Sequence, residues 1–247
     1  MNSLATTTLI EGTPSSKSWF QTVRDILIQY ELPNALHLLS NPMPFEKFKK
    51  LCKLKVREYW HQKLSLEANL PSLEYLRPSH LSLSRPHPIW TSLDGNPYQS
   101  RAARVQALFL TGRYRSERLC RYWSGNKEGL CLLEPCNSLK LFEDVEHILL
   151  RCMALTEVRR RLFRFTKDYT ADKPVLRQLC DSYLQLDTDS VAVTDCTQFL
   201  LDCSVLPRVI SAAQDYGQVI HFHLFRITRT WCRSLHVARL KLLGRHN

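Results

Sequence analysis

GLCLLEPCNSLKLFEDVEHILLRC, residues 129–152, is the stretch whose reading decides the fold. It sets Cys131, Cys136, His147 and Cys152 in a C-x4-C-x10-H-x4-C pattern. Two thiols on a short turn supply half of a tetrahedron, and a His and a Cys five positions apart on one helix supply the other half. Structural zinc is closed by four protein ligands of this kind. Pro135 stiffens the turn between the first two cysteines. Positions five apart on an α-helix diverge somewhat, so His147 and Cys152 converge only if the helix bends back near its last turn. Three thiolates and a neutral imidazole around a dication leave about −1, which a nearby arginine such as Arg151 can offset. Cys120 is the nearest substitute ligand. Pairs of cysteines four apart and lone helical histidines are common by chance, but four such residues in one window favour a metal.

Working outward, a basic cluster lies just upstream. Arg115, Arg118 and Arg121 recur every third residue, preceded by Arg101, Arg104 and Arg113 and interleaved with Tyr114, Tyr122 and Trp123. Arginine grips phosphate through two N–H groups, and aromatic rings stack on unpaired bases. The competing reading is a solvated helix face whose aromatics are core. A second basic element closes the sequence. His223, Arg226, Arg229, Arg233 and His236 are expected on one face of a terminal helix, opposite a stripe of Ile220, Leu224, Ile227, Trp231, Leu235, Ala238 and Leu242. No acid follows Asp215. Such a helix can lie on a phosphate backbone, dock on an acidic partner, or dock on the chain's own acidic block at 171–215.

The whole-chain numbers agree with this picture. The 247 residues carry a formal charge of +11, with 44% hydrophobic and 23% charged residues, a globular composition. Residues 98–128 hold seven basic and two acidic side chains, and residues 216–247 hold six and none. A surplus so placed points to a polyanionic partner. Seven glycines are too few for many tight β-turns. Neither a signal peptide nor a membrane-length apolar run is present, so an intracellular chain, nuclear or cytoplasmic, with nine reduced cysteines is expected.

The pattern predicts a mainly α protein with a small central zinc-stabilised hairpin-plus-helix element. Its expected parts are a flexible N-terminus (1–15), an N-terminal helical region (16–97), a basic helix with the Cys-Cys-His-Cys element (98–170), and a C-terminal helical region (171–247). Ser15 or Ser16 is expected to cap a first helix, and Pro44 to open a long one through about Glu67 with an apolar stripe of Phe45, Phe48, Leu51 or Cys52, Val56, Tyr59 or Trp60, and Leu64. Prolines make 69–97 an extended connector, pinned to the core by Leu73, Tyr75, Leu76, Ile89 and Trp90. Residues 140–166 read as helix with a kink near 153–156. No phosphate loop, dinucleotide fingerprint, nucleophile elbow or spaced metal-binding carboxylates occur, so no enzymatic activity is expected. The acidic group Glu143, Asp144 and Glu146 fits the start of a helix better than catalysis.

ALFLTGRYRSERLCRYWSGNKEGLCLLEPC followed by EDVEHILLRC closely resembles the region downstream of the polymerase domain in LINE-type (non-LTR) retrotransposon proteins. There an arginine-rich TGRY helix precedes a Cys-Cys-His-Cys zinc element. SWFQTVRDILIQYELPNALHLLSNP (18–42) and FRITRTWCRSLHVARLKLLGR (225–245) are also similar to parts of such C-terminal regions. The resemblance spans about 18–245 and is strongest over 107–152. It implies zinc on Cys131, Cys136, His147 and Cys152, and contact with RNA or single-stranded DNA during target-primed reverse transcription, with the polymerase domain of the parent element as a further partner. The aspartate-pair polymerase motif, the endonuclease and RNase H signatures are missing, so the chain resembles the non-catalytic tail. The alternatives are a protein-interaction scaffold with purely structural zinc, and an inert element fragment.

Overall fold

Prolines and small polar caps set the helix starts. Pro88, Pro97, Pro174 and Pro207 each open a helix, where a missing N–H costs nothing. Asn34 and Asn96 cap theirs through side-chain oxygens. The computed structural model describes residues 18–67, 73–77, 86–120, 128–184 and 190–245. Its regular elements are all helical, and the one β feature among the described residues is an isolated antiparallel bridge between Leu130 and Phe142. The chain divides into two compact units, residues 1–66 and 67–247.

The first unit holds α1 (Trp19–Gln29), α2 (Ala35–Ser40) and α3 (Phe45–Glu67). Ser18 is the N-cap of α1 and forms a reciprocal capping box with Gln21; Ser15 and Ser16 lie outside the described residues. Leu27 is the one buried side chain on these three helices. The predicted stripe of α3 is therefore only a half-buried face: Phe48, Leu51, Cys52, Tyr59 and Leu64 are partly covered, Phe45, Val56 and Trp60 are exposed, and none is buried. The short α1 and α2 offer it little surface to pack on, and Tyr59 meets Tyr30 edge-on at 5.0 Å.

The second unit is built around α11 (Val219–Leu242), which packs against α5 (Pro97–Leu110), α7 (Thr156–Tyr169), α8 (Pro174–Tyr183), α9 (Ser190–Asp202) and α10 (Pro207–Tyr216). Gly217, at φ +75°, makes the break between α10 and α11. Leu224, Phe225, Ile227, Trp231, Cys232 and Leu235 are wholly buried. A helix enclosed this far is a spine, and its apolar face is wider than the single predicted stripe. Buried polar groups fix the register. Gln106 Nε2 donates to the carbonyls of Leu200 (2.8 Å) and Leu201 (3.1 Å) and to Thr228 Oγ1 (3.0 Å), joining α5, α9 and α11. Trp231 Nε1 donates to Thr166 Oγ1 at 3.0 Å.

The described pieces of the expected connector are pinned to this core: Tyr75 and Leu76 pack on it and Ile89 is buried in the short helix α4 (Pro88–Thr91), while Trp90 faces out. Pro88 thus starts a helical turn here. Residues 140–166 also differ from the expectation. The segment is hairpin to Glu143, then a π turn (His147–Arg151), a 3-10 turn (Met153–Leu155) and only then α7. Hairpin pairing competes with helix at its start, and the kink is two non-α turns in succession. Among the described residues no helix is long and apolar enough to cross a membrane.

Candidate metal centre and its basic surroundings

The hairpin starts at Gly129, whose φ of +69° lies in the left-handed region that favours glycine. A Cβ there would stand 2.9 Å from the Cα of Arg118. The Cys131 N–H bonds the Leu141 carbonyl at 2.8 Å, and the Glu143 N–H bonds that of Gly129 at 3.0 Å. Within the loop, the Leu141 N–H reaches the Cys136 carbonyl at 3.1 Å, and the Glu134 carboxylate accepts from the Ser138 N–H (3.2 Å) and hydroxyl (2.7 Å). The Glu134–Pro135 peptide is cis. Asp144 then accepts from the His147 N–H at 2.7 Å and starts the π turn. The Cys152 N–H closes that turn on the His147 carbonyl at 2.6 Å. An i to i+5 bond lays residues five apart on one side, which resolves the divergence an α-helix would impose.

The result is a buried cluster that could hold a metal ion. Cys131, Cys136, His147 and Cys152 each offer a ligand atom, and these atoms all lie within 4.8 Å of one another. The Cys136 and Cys152 sulfurs are 3.9 Å apart, and the Met153 N–H points at Cys136 Sγ at 3.3 Å. His147 Nε2 is buried with no hydrogen-bond partner. An orphaned imidazole nitrogen facing three thiols is expensive unless something else takes its lone pair, and a metal ion does so. The Cys131 thiol's hydrogen bond to Cys152 holds the Cys152 pKa below the usual thiol range, while the same bond and burial push Cys131 up. Cys120, half-buried on α6 (Glu117–Cys120), stands outside the four. Arg151 is turned to the surface, where it pairs with Glu146 at 2.7 Å. The guanidinium that reaches a candidate ligand is that of Arg159, buried on the first turns of α7 and donating to the Cys152 backbone carbonyl.

The hairpin base carries a second buried constellation. Glu143 accepts from the Glu117 N–H at 2.9 Å and from Arg239, which reaches it through Nε (3.1 Å) and Nη2. Arg239 also lies 3.5 Å from Glu117, and Arg245 3.4 Å from it. Burial disfavours the Arg239 charge, but the Glu143 carboxylate outweighs it and holds the pKa above its ordinary value. The carbonyl of Glu143 takes the Arg118 N–H at 3.3 Å. The basic segment 113–118 is therefore seated directly on the hairpin.

The predicted nucleic-acid residues separate into two groups. Arg101, Arg104, Arg113 and Arg115 are exposed, and Arg118 is exposed with Asp144 at 3.3 Å. Arg226 is exposed over the Tyr169 ring, and Arg233 lies over the Tyr98 ring at 4.2 Å. Arg121, Tyr122 and Trp123 lie outside the described residues. Two expectations fail. Tyr114 is a core residue, stacked on Phe109 at 3.8 Å and bonded to His236 Nδ1 at 2.9 Å. Arg229 points inward, donating to the Ile89 carbonyl (3.0 Å), Ser92 Oγ (2.8 Å) and the Ser92 carbonyl (2.9 Å), and burial lowers its pKa to about 10. Neither can meet a base or a phosphate. Arg239 and Arg245 also turn to Glu117 and Glu143, not to the acidic block at 171–215. An aromatic that is exposed beside these arginines, on α5, is Tyr98. Its spacing of three and six from Arg101 and Arg104 was the available signal.

No protein family matches the chain, and no curated protein or solved structure matches it either.

Proposed function

We propose that the chain is a non-catalytic nucleic-acid-binding module whose central hairpin is held by one structural zinc ion. The observation that carries the zinc is the partnerless Nε2 of His147 among three buried sulfurs. Cys3His is a closed tetrahedral donor set of the kind structural zinc takes, and soft thiolates disfavour calcium and magnesium. The metal's work is to fold the hairpin on which segment 113–118 rests. Around that segment Arg101, Arg104, Arg113 and Arg115 face water, and Tyr98 with Arg233 offers a flat surface for an unpaired base. The resemblance to the tails of LINE-type retrotransposon proteins gives this surface RNA or single-stranded DNA as its ligand, in target-primed reverse transcription.

The test is metal analysis followed by binding of labelled single-stranded RNA and DNA at graded salt. One zinc per chain is expected, lost in Cys131→Ser with His147→Ala. Four arginine–phosphate contacts give a log–log salt slope of roughly −3 on single strands. Arg113→Ala with Arg115→Ala is expected to cut about half of that slope. Binding unchanged by salt refutes the nucleic-acid reading. A protein-interaction scaffold is the second reading, favoured by Leu139 and Phe142, which stand exposed on the hairpin. It predicts salt-independent behaviour and loss of partner binding in Phe142→Ser.

A further inference from the structure

Three thiolates and a neutral imidazole around a dication sum to about −1. At a site whose ligands are this deeply buried, that charge has little water to spread into, and an unbalanced buried charge is costly. Arg151, the nearest arginine in sequence, is spent on Glu146 at the surface. Arg159 is not. Its side chain is in the core, with the whole residue 4% exposed. Nη2 donates to the Cys152 carbonyl and, at 3.3 Å, to Thr156 Oγ1. Nη1 is buried and has no hydrogen-bond partner. Burial lowers its pKa, and the charges of Cys152 and Cys136 act in the opposite direction. Its neighbours in the run, Arg160 and Arg164, pair with Glu157 in solvent instead.

We propose that Arg159 is the built-in counter-charge of the metal centre: anchored on the Cys152 carbonyl, its guanidinium cancels the residual charge of the three-thiolate dication complex. The inference rests on the zinc reading above. Arginine suits the place because it remains charged when buried and is more weakly hydrated than an ammonium. Two consequences follow. The positive charge tightens binding of a divalent ion. It also draws electron density from the sulfurs and makes the bound thiolates poorer nucleophiles. Arg159 touches a ligand's backbone and not the metal, so it is a positioning and charge-balancing residue.

The experiment uses the full chain as wild type, Arg159→Lys, Arg159→Gln and Arg159→Met. Zinc affinity is read by competition with a chromophoric chelator. Iodoacetamide alkylation of the zinc-loaded protein is read by peptide mass at Cys131, Cys136 and Cys152. Far-UV circular dichroism at saturating zinc reports folding. The Lys variant keeps the charge and is expected within a few-fold of wild type in both readouts. The Gln and Met variants are expected to bind zinc roughly 10- to 100-fold more weakly, the range typical of groups that support metal ligands, and to be alkylated faster. A Gln variant that holds zinc as tightly as wild type overturns the proposal, and so does a Lys variant as weak as Met, which would assign the residue to packing. A wild-type chain that takes up no zinc overturns the metal centre itself, and is recognised because all four proteins then compete equally poorly.

Discussion

Glu143 and Arg239 stand almost wholly out of water, and two N–H groups of the arginine close on the one carboxylate. Such a pair is not strongly stabilising against an apolar pair of the same shape, but breaking it strands a buried charge, at about 3–5 kcal/mol. Glu143→Leu leaves Arg239 with Glu117 as its remaining partner at 3.5 Å. Arg239→Met takes the buried cation from two carboxylates at once, leaving Glu143 only the neutral Glu117 N–H and Glu117 only the half-exposed Arg245. Arg239→Met is therefore expected to lower the urea midpoint more than Glu143→Leu, and the double variant to recover much of the loss. Equal losses in both single variants, or simple additivity in the double, would contradict this account. The pair was invisible in the sequence because its members are 96 positions apart and each looked like part of a surface charge group. Arg229, Arg239 and Arg159 share one cue in hindsight: each falls on an apolar stripe, Arg229 between Phe225 and Cys232, Arg239 four after Leu235, Arg159 three before Leu162. An arginine on a buried stripe is a pinned one.

At the scale of the element, the metal hairpin depends on one glycine. Gly129 combines a left-handed φ with backbone 2.9 Å from where a Cβ would sit, and the atom it would meet is the Arg118 Cα, not a flexible side-chain tip. Gly129→Ala is expected to destabilise the second unit by about 1–3 kcal/mol, the usual cost of a strained backbone position. It should also loosen segment 113–118, read as faster amide exchange at Arg118, whose N–H bonds Glu143. Gly95→Ala is the control: its φ is +78° but nothing lies within 4 Å. Equal effects would show that the close approach does not matter. This element also marks how far the sequence could be read. The long helix after Pro44 and the four-residue donor set were legible, because caps and donor spacings are local, whereas Pro97 reads as connector and opens a helix instead. The π turn was not. Residues 140–152 carry apolar spacing that fits an α-helix, and only the Cys131–Leu141 pairing and the 2.6 Å bond from Cys152 to His147 replace it.

Over the whole molecule, the charge and the stability sit in different places. Half of the terminal segment's surplus is spent within the protein: Arg229 and Arg239 are buried, and the half-exposed Arg245 is paired with Glu117. The basic surface thus belongs mainly to residues 98–118, around the candidate metal centre. Folding energy is equally uneven. The second unit holds the four candidate ligands, Arg159, the Glu143 cluster and the continuous core around Trp231. The described part of the first unit buries Leu27 alone on its helices and leaves Trp19 78% and Leu66 75% exposed. Three helices with one buried side chain cannot offset the entropy of ordering them, since short helices in water depend on packing. Residues 67–247 expressed alone are therefore expected to take up zinc with the same stoichiometry and to unfold within a few degrees of the full chain. Residues 1–66 alone should show weak helicity, lost without a cooperative transition. Circular dichroism against temperature, with zinc analysis of the larger fragment, decides it. A larger fragment that loses zinc, or a smaller one that melts sharply, would mean that the first unit carries folding energy its buried surface does not explain.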